Sequence, residues 1–280
     1  MAIELRTPDV AGLSDAMRVM RAWQDDDVPF MVHPGDLGWA WRFGAEQTAA
    51  VTRTWWRGPD LLAVAVVDPD VVRLAISPDA LDDEELARRV ADDVTATGCV
   101  EAPVGARLRT LLADEGWVDD EPWAPFRRDL ADPVADPGVR IEVTAPDDAS
   151  VAARVAAQRG AWERSTFTAE AWHTMAAGPA YADARCLVAR DEEDRPVAAI
   201  TVWSAGPGRP GLIEPMGAHR DHRGRGYGTA ITRAGAAALR ELGSSSAVVC
   251  TPASNTGGVA TYVAAGFERL PDKRDLRRVD

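Results

Sequence analysis

Residues 212–229 read LIEPMGAHRDHRGRGYGT, an apolar segment followed by a basic, glycine-rich turn. The apolar segment is typical of a buried strand, and residues 230–242 after the turn have the apolar spacing of a helix. Backbone N–H groups of such a turn, together with the dipole of the following helix, favour a phosphate. Arg220, Arg223 and Arg225 add positive charge at the same place, although arginines that merely solubilise a loop would give the same composition.

The composition of the whole chain limits the choice of function. Its 280 residues suffice for two domains, and 46% apolar with 27% charged residues is typical of a globular protein. Its apolar runs are short, and a basic segment followed by an apolar one is absent from the N-terminus, so we expect no membrane partner and a cytoplasmic location. A net charge of −13 argues against a nucleic-acid partner, and one basic turn in an acidic chain indicates one small anionic ligand.

The three cysteines carry little information about function. Cys99, Cys186 and Cys250 are too few and too scattered for a disulfide framework or a zinc site, so we expect no bound metal.

The chain contains a weak internal repeat. Segment 3–9 resembles segment 141–147, and each is a short strand followed by a Pro-Asp turn that can cap a helix. Segment 111–117 resembles segment 261–267, and each is a helix end closed by glycine before an aromatic residue. The sequence therefore predicts two tandem units, 1–130 and 140–280, joined by a linker over 131–139. The glycine-rich turn occurs in the second unit only.

Hydrophobic periodicity predicts an α/β (α+β) fold. In the first unit, we expect helices over 11–23, 44–56 and 82–94 and a hairpin formed by 61–67 and 71–76. In the second unit, we expect helices over 149–162, 168–177, 230–242 and 257–265, and strands over 140–144, 185–190, 197–203, 212–218 and 247–251, with a last strand from 267. The tryptophans at 39, 41, 55 and 56 either form a ligand-stacking surface or, as we favour, pack where two layers meet.

The second unit resembles the GNAT acyltransferase superfamily. Arg223, Gly226 and Gly228 fill the family signature Arg/Gln-x-x-Gly-x-Gly/Ala, and a second signature follows with Asn255 and Tyr262 before Gly266-Phe267. A dinucleotide-binding motif would need a third glycine where Thr229 stands, and a P-loop would need a lysine that is absent. Gly257-Gly258 departs from the family, whose members often have alanines there, so the helix over 257–265 could begin later or be looser.

This resemblance implies two tandem units of the same fold, each a mixed, largely antiparallel central sheet flanked by helices. It implies acetyl-CoA as cosubstrate, with the pantetheine arm beside Met216, Gly217 and Ala218 and one of the last two donating to the thioester oxygen. The remaining cofactor-binding residues that it implies are Arg223, Gly224, Arg225, Gly226, Tyr227, Gly228, Thr229 and Asn255.

Two side chains are candidate catalytic groups, Tyr262 from the resemblance and Glu214 from its position on the strand. Tyr262 would protonate the leaving thiolate, unless it is only a packed helix residue. Glu214 would accept a proton from the amine, because strand alternation places 214 and 216 on one face; a structural carboxylate paired with an arginine is the alternative. His219 and His222 are other candidate bases, although the turn would direct them toward phosphate or solvent.

We therefore expect an N-acetyltransferase that moves an acetyl group from acetyl-CoA to a primary amine of a small molecule by direct attack, as a monomer or homodimer. Two alternatives remain open: a non-catalytic acyl-CoA-binding or regulatory module, and a protein N-terminal or lysine acetyltransferase. The first unit has Leu112 where the second has Tyr262, and we expect it to support the active unit or to shape the acceptor pocket.

Overall fold

The computed structural model of the chain describes residues 1–28, 30–94 and 98–279. The helices are α1 Val10–Trp23, α2 Pro34–Ala40, α3 Ala45–Ala50, α4 Glu84–Val94, α5 Arg107–Asp114, α6 Asp148–Ala161, α7 Ala169–Ala176, α8 Tyr227–Glu241 and α9 Thr256–Ala264. The strands are β1 Ile3–Arg6, β2 Thr52–Arg57, β3 Asp60–Val67, β4 Val72–Ile76, β5 Cys99–Glu101, β6 Val118–Asp129, β7 Arg140–Val143, β8 Ala184–Arg190, β9 Pro196–Ser204, β10 Gly211–Ala218, β11 Ser246–Pro252, β12 Glu268–Arg269 and β13 Lys273–Arg277. None of the described helices is long and apolar enough to cross a membrane.

All of these strands join one mixed sheet in the order β1-β2-β3-β4-β5-β13-β6-β11-β10-β9-β8-β7, with β12 beside β6. Most neighbouring strands are antiparallel, and the β4–β5 and β10–β11 pairs are parallel. The expected fold class, a largely antiparallel sheet flanked by helices in two similar halves, is confirmed.

The two halves exchange their last strands. Strand β6, from the first half, pairs with β11 of the second half over seven residues, Asp129↔Ser246 to Trp123↔Pro252. Strand β13, from the second half, lies between β5 and β6, where Leu276 pairs with Val100. The first half therefore gives a strand to the second half's sheet and receives one in return. The division of the chain into units 1–130 and 140–280 remains a prediction. The strand exchange shows that the sheets of the two halves are interlocked.

Three hydrophobic cores cover the sheet. One packs α4 and α5 on the first half and includes Leu276 from the exchanged strand. Another packs α8 and α9 on the second half, with Phe126 of β6 in it. The largest side chains of the third core come from both halves: α1 and α2 contribute Met20 and Leu37, and α7 and β9 contribute Trp172 and Trp203. This shared core fixes the two halves against each other on one face of the sheet.

Local signals explain most of the helix boundaries. The side chain of Asp9 accepts a hydrogen bond from Gly12 N–H, and that of Asp147 accepts one from Ser150 N–H, so the repeated Pro-Asp turns cap α1 and α6 as expected. The predicted helices and strands of the second half all occur, with ends that shift by a few residues.

The expected helix over 44–56 is wrong beyond Ala50. Helix α3 ends there, and Thr52–Arg57 form strand β2, paired with both β1 and β3. Trp55 is buried on this strand in the first core. Trp41 packs against Gly178 of the second half, where a Cβ atom would meet its ring at 2.7 Å, so these two tryptophans have the packing role that we favoured. Trp39, by contrast, lines a cavity.

Candidate functional site

The glycine-rich turn forms a cradle of backbone at the start of α8. Gly224 and Gly226 have φ of +75° and +86°, which residues with a side chain rarely adopt. Gly226 precedes the first residue of the helix and has no side chain to cap it, and a helical hydrogen bond runs from Ala230 N–H to Gly226 C=O. The N–H groups of residues 227–229 thus remain available at the positive end of the helix dipole.

The sheet opens beside this cradle. Strands β10 and β11 pair only through Gly211↔Ala247 and Leu212↔Val248 among the described residues, so they diverge before β10 reaches the turn. A β-bulge between Ile213 and Met216 interrupts the alternation of faces. Simple alternation along β10 therefore does not place 214 and 216 on one face, contrary to our expectation. Both residues nevertheless line the cavity described below.

The register of β10 decides which N–H groups face the opening. His219 donates its backbone N–H to Val197 of β9 over 2.8 Å, and Gly217 is paired with Ala199 two residues earlier. In an antiparallel pair, the residue between two such positions directs its N–H away from the partner strand. The N–H of Ala218 therefore points toward the gap between β10 and β11, whereas that of Gly217 points toward β9.

We call the space between β10, β11, α9 and the turn the turn cavity; its volume is about 780 Å³. Twelve of the thirteen residues proposed from the sequence line it: Glu214, Met216, Gly217, Ala218, Arg223, Gly224, Gly226, Tyr227, Gly228, Thr229, Asn255 and Tyr262. The exception is Arg225, which is exposed at the tip of the turn.

Two arginines of the turn hold helix α6. Arg223 donates to the carbonyl oxygen of Ala161 over 2.9 Å, and Arg220 donates to those of Gly160 and Arg159 over 3.2 and 2.9 Å. The last carbonyls of a helix lack intrahelical partners and carry the negative end of its dipole, so arginines suit this position. Their role in the described structure is to fasten the turn to α6.

The histidines of the turn make contacts within the turn and with α6. His219 packs against Gly160, where a Cβ atom would come within 1.8 Å of the imidazole ring, and its Nδ1 accepts from the Asp221 N–H over 3.2 Å. His222 lines the turn cavity with its ring against Tyr227, 6.1 Å between centroids. His222 thus lies beside the glycine-rich turn.

Asn255 serves as the cap of α9. Its Oδ1 accepts from the Gly258 N–H over 3.1 Å, and its Nδ2 donates to Thr251 Oγ1 over 2.9 Å. A Cβ atom at Gly258 would stand 2.5 Å from this amide, so the glycine that departs from the family pattern makes room for the cap. The helix accordingly begins at Thr256, no later than expected. This capping role could have been predicted from the position of the asparagine before a helix.

Tyr262 is buried at the inner end of the turn cavity. Its ring packs 5.3 Å from Phe126 and 6.1 Å from Phe267, centroid to centroid. Burial, with the nearby Glu214 carboxylate next in effect, raises the pKa of the phenol well above its usual value. The hydroxyl thus keeps its proton at neutral pH. Phe126 belongs to the exchanged strand β6, so the first half helps to position this tyrosine.

Glu214 is half-buried, and its carbonyl oxygen accepts a hydrogen bond from Trp203 Nε1 over 2.7 Å. Burial, with Asp36 next in effect, raises the pKa of its carboxyl to about 7, although Arg73 and Arg42 oppose the rise. A carboxylate with a pKa near neutrality can take up a proton and release it again. Within the described residues, no ion pair or hydrogen bond engages this carboxylate. The alternative role, a structural carboxylate paired with an arginine, therefore has no contact among these residues to support it.

A second cavity, the inter-half cavity, has a volume of about 840 Å³ and is lined by residues of both halves. The two cavities share two lining residues, Glu214 and Cys250. Sequence reasoning missed the inter-half cavity because its lining combines first-half residues from the segment before α2 to β6 with residues of β10, β11 and β13, which lie far away in the sequence. Of its aromatic members, Phe30, Trp39, Phe43 and Trp123, only Trp39 had been singled out from the sequence.

The first half has the same strand-to-helix junction without a cradle. Where the second half has its glycine-rich turn, Asp83 accepts from Leu86 N–H over 2.9 Å and pairs with Arg57 over 2.7 Å. Helix α4 then begins with Glu84 and Glu85. Carboxylates occupy the place that an anionic ligand would need.

Residues 151–267 match the model of the acetyltransferase (GNAT) family. The second half is a GNAT acetyltransferase domain. Acyl transfer is thus the enzyme class, and acetyl-CoA is the cosubstrate that the GNAT family uses, acting with an acceptor substrate. A search of curated proteins found no match.

Solved GNAT structures share the fold over the whole chain. A GNAT-family acetyltransferase from Colwellia psychrerythraea has a TM-score of 0.62 at 11% identity, with 100% of both chains covered. A GCN5-related N-acetyltransferase from Sphaerobacter thermophilus has a TM-score of 0.58 at 18% identity, covering 99% of this chain and 95% of that one. A tandem GNAT protein from the clavulanic acid biosynthesis pathway has a TM-score of 0.54 at 15% identity, covering 98% and 97%. At these low identities, the likeness shows a shared fold and no more.

Proposed function

We propose that this GNAT enzyme transfers an acetyl group from acetyl-CoA to a primary amine of a small molecule by direct attack. The observation that carries the proposal is the shared lining of the two cavities by Glu214. One cavity has the phosphate cradle, the other has room for an acceptor, and a carboxylate with a pKa of about 7 stands where they meet.

Acetyl-CoA fits the turn cavity on physical grounds. The free N–H groups of residues 227–229 and the helix dipole suit its pyrophosphate, with Arg223 to Gly226 completing the cradle. The open edge of β10 offers Met216 and Ala218 backbone groups to the pantetheine arm, as an added strand would use them. Of the two candidates for the thioester oxygen, Ala218 directs its N–H into the gap, so we assign it that role in place of Gly217.

The chain's own groups supply the proton transfers. Glu214 accepts a proton from the amine, directly or through water, because the nitrogen must use its lone pair to attack. The new C–N bond forms as the C–S bond breaks, and Tyr262 donates its proton to the departing thiolate. Burial would raise the pKa of that thiol as it raises the pKa of the neighbouring Cys250 to about 12, so tyrosine and thiol remain comparable acids.

The acceptor is a small molecule in this proposal, because both halves wall the inter-half cavity. A protein N-terminus or lysine would need an open groove at Glu214. In this division of labour, residues 140–280 carry the chemistry, residues 131–139 connect, and residues 1–130 shape the acceptor cavity without binding acyl-CoA. The three cysteines are free, which suits a cytoplasmic location.

Calorimetric titration with acetyl-CoA, followed by measurement of free thiol release with a panel of small amines, tests the proposal. We expect binding of acetyl-CoA and amine-dependent release of one thiol per acetylated amine. Binding without release for any amine would instead indicate a non-catalytic acyl-CoA-binding module. Absence of binding would reject both functions.

A further inference from the structure

The inter-half cavity contains more carboxylates than its cations neutralise. Arg73 forms ion pairs with Asp36 over 2.8 Å and with Asp68 over 3.1 Å. Lys273 pairs with the half-buried Glu101. Although burial opposes ionisation, the Lys273 ammonium lowers the pKa of Glu101, so this pair is charged. These three carboxylates and two cations leave one net negative charge, because Arg73 pairs with two carboxylates.

Asp275 has no partner in this arrangement. Its residue is 8% exposed, it lines the inter-half cavity, and no hydrogen bond or ion pair to it exists within the described residues. It lies on β13 next to Leu276, whose partner Val100 precedes Glu101 on β5, so Asp275 and Glu101 are neighbours of like charge. Burial and then Glu101 raise the pKa of Asp275 to about 6, although Lys273 and Arg109 oppose the rise. Neither of these two described cations forms an ion pair or hydrogen bond with it, and a buried carboxylate without such a contact is costly unless a ligand supplies one.

The remaining cation of the cavity is already engaged elsewhere. The Arg42 guanidinium stacks 4.0 Å from the ring centroid of Trp39 and 4.1 Å from that of Phe43. It donates to the Trp39 carbonyl oxygen over 2.6 Å. Arg42 lowers the pKa of Glu214 and has no such effect on the pKa of Asp275. The aromatic rings of Trp39 and Trp123 provide an apolar wall along the cavity.

We propose that the acceptor carries a second positively charged nitrogen, which Asp275 binds while Glu214 takes the proton from the nitrogen that is acetylated. The acceptor class is thus an aliphatic diamine or polyamine, whose hydrocarbon chain lies along the aromatic wall. This inference rests on the proposed function, because it assigns the substrate of the same site. The exchanged strand β13 gives it a structural reason, because this strand brings Asp275 of the second half into a cavity that β4 and β5 of the first half also line.

The test compares alkane diamines of three to six carbons with monoamines of equal length. Thiol release gives kcat/KM for each amine, and calorimetry in the presence of CoA gives the binding of each amine without turnover. The variant is Asp275→Asn, which keeps the shape and removes a charge beside Glu101, so the fold should tolerate it. Asp272→Asn is the matched control, because Asp272 pairs with Arg269 at the surface and lines neither cavity.

We expect wild type to prefer diamines, and Asp275→Asn to lower kcat/KM for diamines about 10- to 100-fold, the usual range for a lost charged hydrogen bond, with monoamines unchanged. Asp275→Glu should retain the preference, and Asp272→Asn should resemble wild type. Equal loss for both amine types, or no loss, overturns the inference and leaves the acetyltransferase function standing. Diamine binding that depends on Asp275 without any acetylation rejects the proposed function alone. Diamines that neither bind nor react overturn the inference.

Discussion

Arg223, the first residue of the GNAT signature in this chain, donates a hydrogen bond to the carbonyl oxygen of Ala161 over 2.9 Å. The arginine thus ties the phosphate cradle to the last turn of α6. Because Arg220 does the same at Gly160, the turn keeps its shape through side chains that the sequence had indicated as countercharge for a ligand.

Replacing Gly160 with alanine should loosen this attachment. The added Cβ atom would stand 1.8 Å from the His219 ring, which must move together with the turn. We expect a loss of about 1–3 kcal/mol in the free energy of unfolding and weaker acetyl-CoA binding. Chemical denaturation and calorimetry measure both effects. Adding His219→Ala should restore much of the stability; a double variant no better than Gly160→Ala would contradict this explanation.

Changing Tyr262 to Phe should reduce turnover and leave acetyl-CoA affinity nearly intact. The phenol is the proposed proton donor to the thiolate, and its ring packing against Phe126 survives the change. A loss of about 10²- to 10⁴-fold in kcat is the range for general acid catalysis. Tyr181→Phe is the matched control, since Tyr181 packs in the shared core outside both cavities. Unchanged kcat across accepted amines would remove Tyr262 from the mechanism.

The sequence predicted the second half well because its signals are local. Caps such as Asp147, the strand period of 2 and the glycine at a helix end depend on neighbouring residues. The glycine-rich turn around Gly226 was likewise found from local signals, whereas Tyr262 was proposed from the resemblance to the GNAT family. The helix predicted over 44–56 failed because β2 is stabilised by its pairing with β1 and β3, which a local pattern does not record.

Nonlocal pairing also explains what could not be predicted. The exchange of β6 and β13 depends on pairing with strands of the other half, and nothing in either strand's own sequence specifies that pairing. Helix α2 has seven residues with two glycines, and it is held by tertiary contacts: a Cβ atom at Gly35 or Gly38 would meet Trp203 at 2.5 Å. The inter-half cavity, including Asp275, follows from these nonlocal contacts.

Leu276→Ala should destabilise the first half although the residue belongs to the second. Leu276 is 3% exposed and packs in the core under α4 and α5. Loss of its buried side chain should lower the free energy of unfolding by about 2–5 kcal/mol. Hydrogen exchange should show faster exchange in β4 and β5. Leu270→Ala is the control, because Leu270 is only half-buried; an equal effect of the two substitutions would argue against the exchanged strand as a support.

His33 should make the fold less stable in acid. Its Nδ1 accepts from Gly35 N–H over 2.9 Å, so the neutral ring donates Nε2–H to the Pro210 carbonyl oxygen, 3.2 Å away in the other half. Burial lowers the pKa of His33 from 6.5 to about 4. The unfolded chain then binds the proton more tightly, and stability falls as pH drops from about 6.5 to 4.

The full effect of His33 is about 3 kcal/mol, from 1.36 kcal/mol for each pKa unit. Urea denaturation across this pH range, with His33→Asn as the variant, measures it. Asparagine can cap α2 without titrating, so its stability should depend less on pH, whereas His173→Asn should keep the wild-type slope. Parallel curves for wild type and His33→Asn would contradict the assignment.

The pH profile of acetyl transfer in wild type and Glu214→Gln is the measurement that tests the account most directly. The base must be ionised to take the amine proton, so wild-type kcat should fall as pH drops through about 7, the pKa to which burial raises Glu214. Glu214→Gln should lose this limb and most of its rate while binding acetyl-CoA normally, and Glu268→Gln, on the exposed β12, should match wild type. If Glu214→Gln had the wild-type rate and the same fall in kcat below pH 7, Glu214 would not be the catalytic base and the central claim would be contradicted.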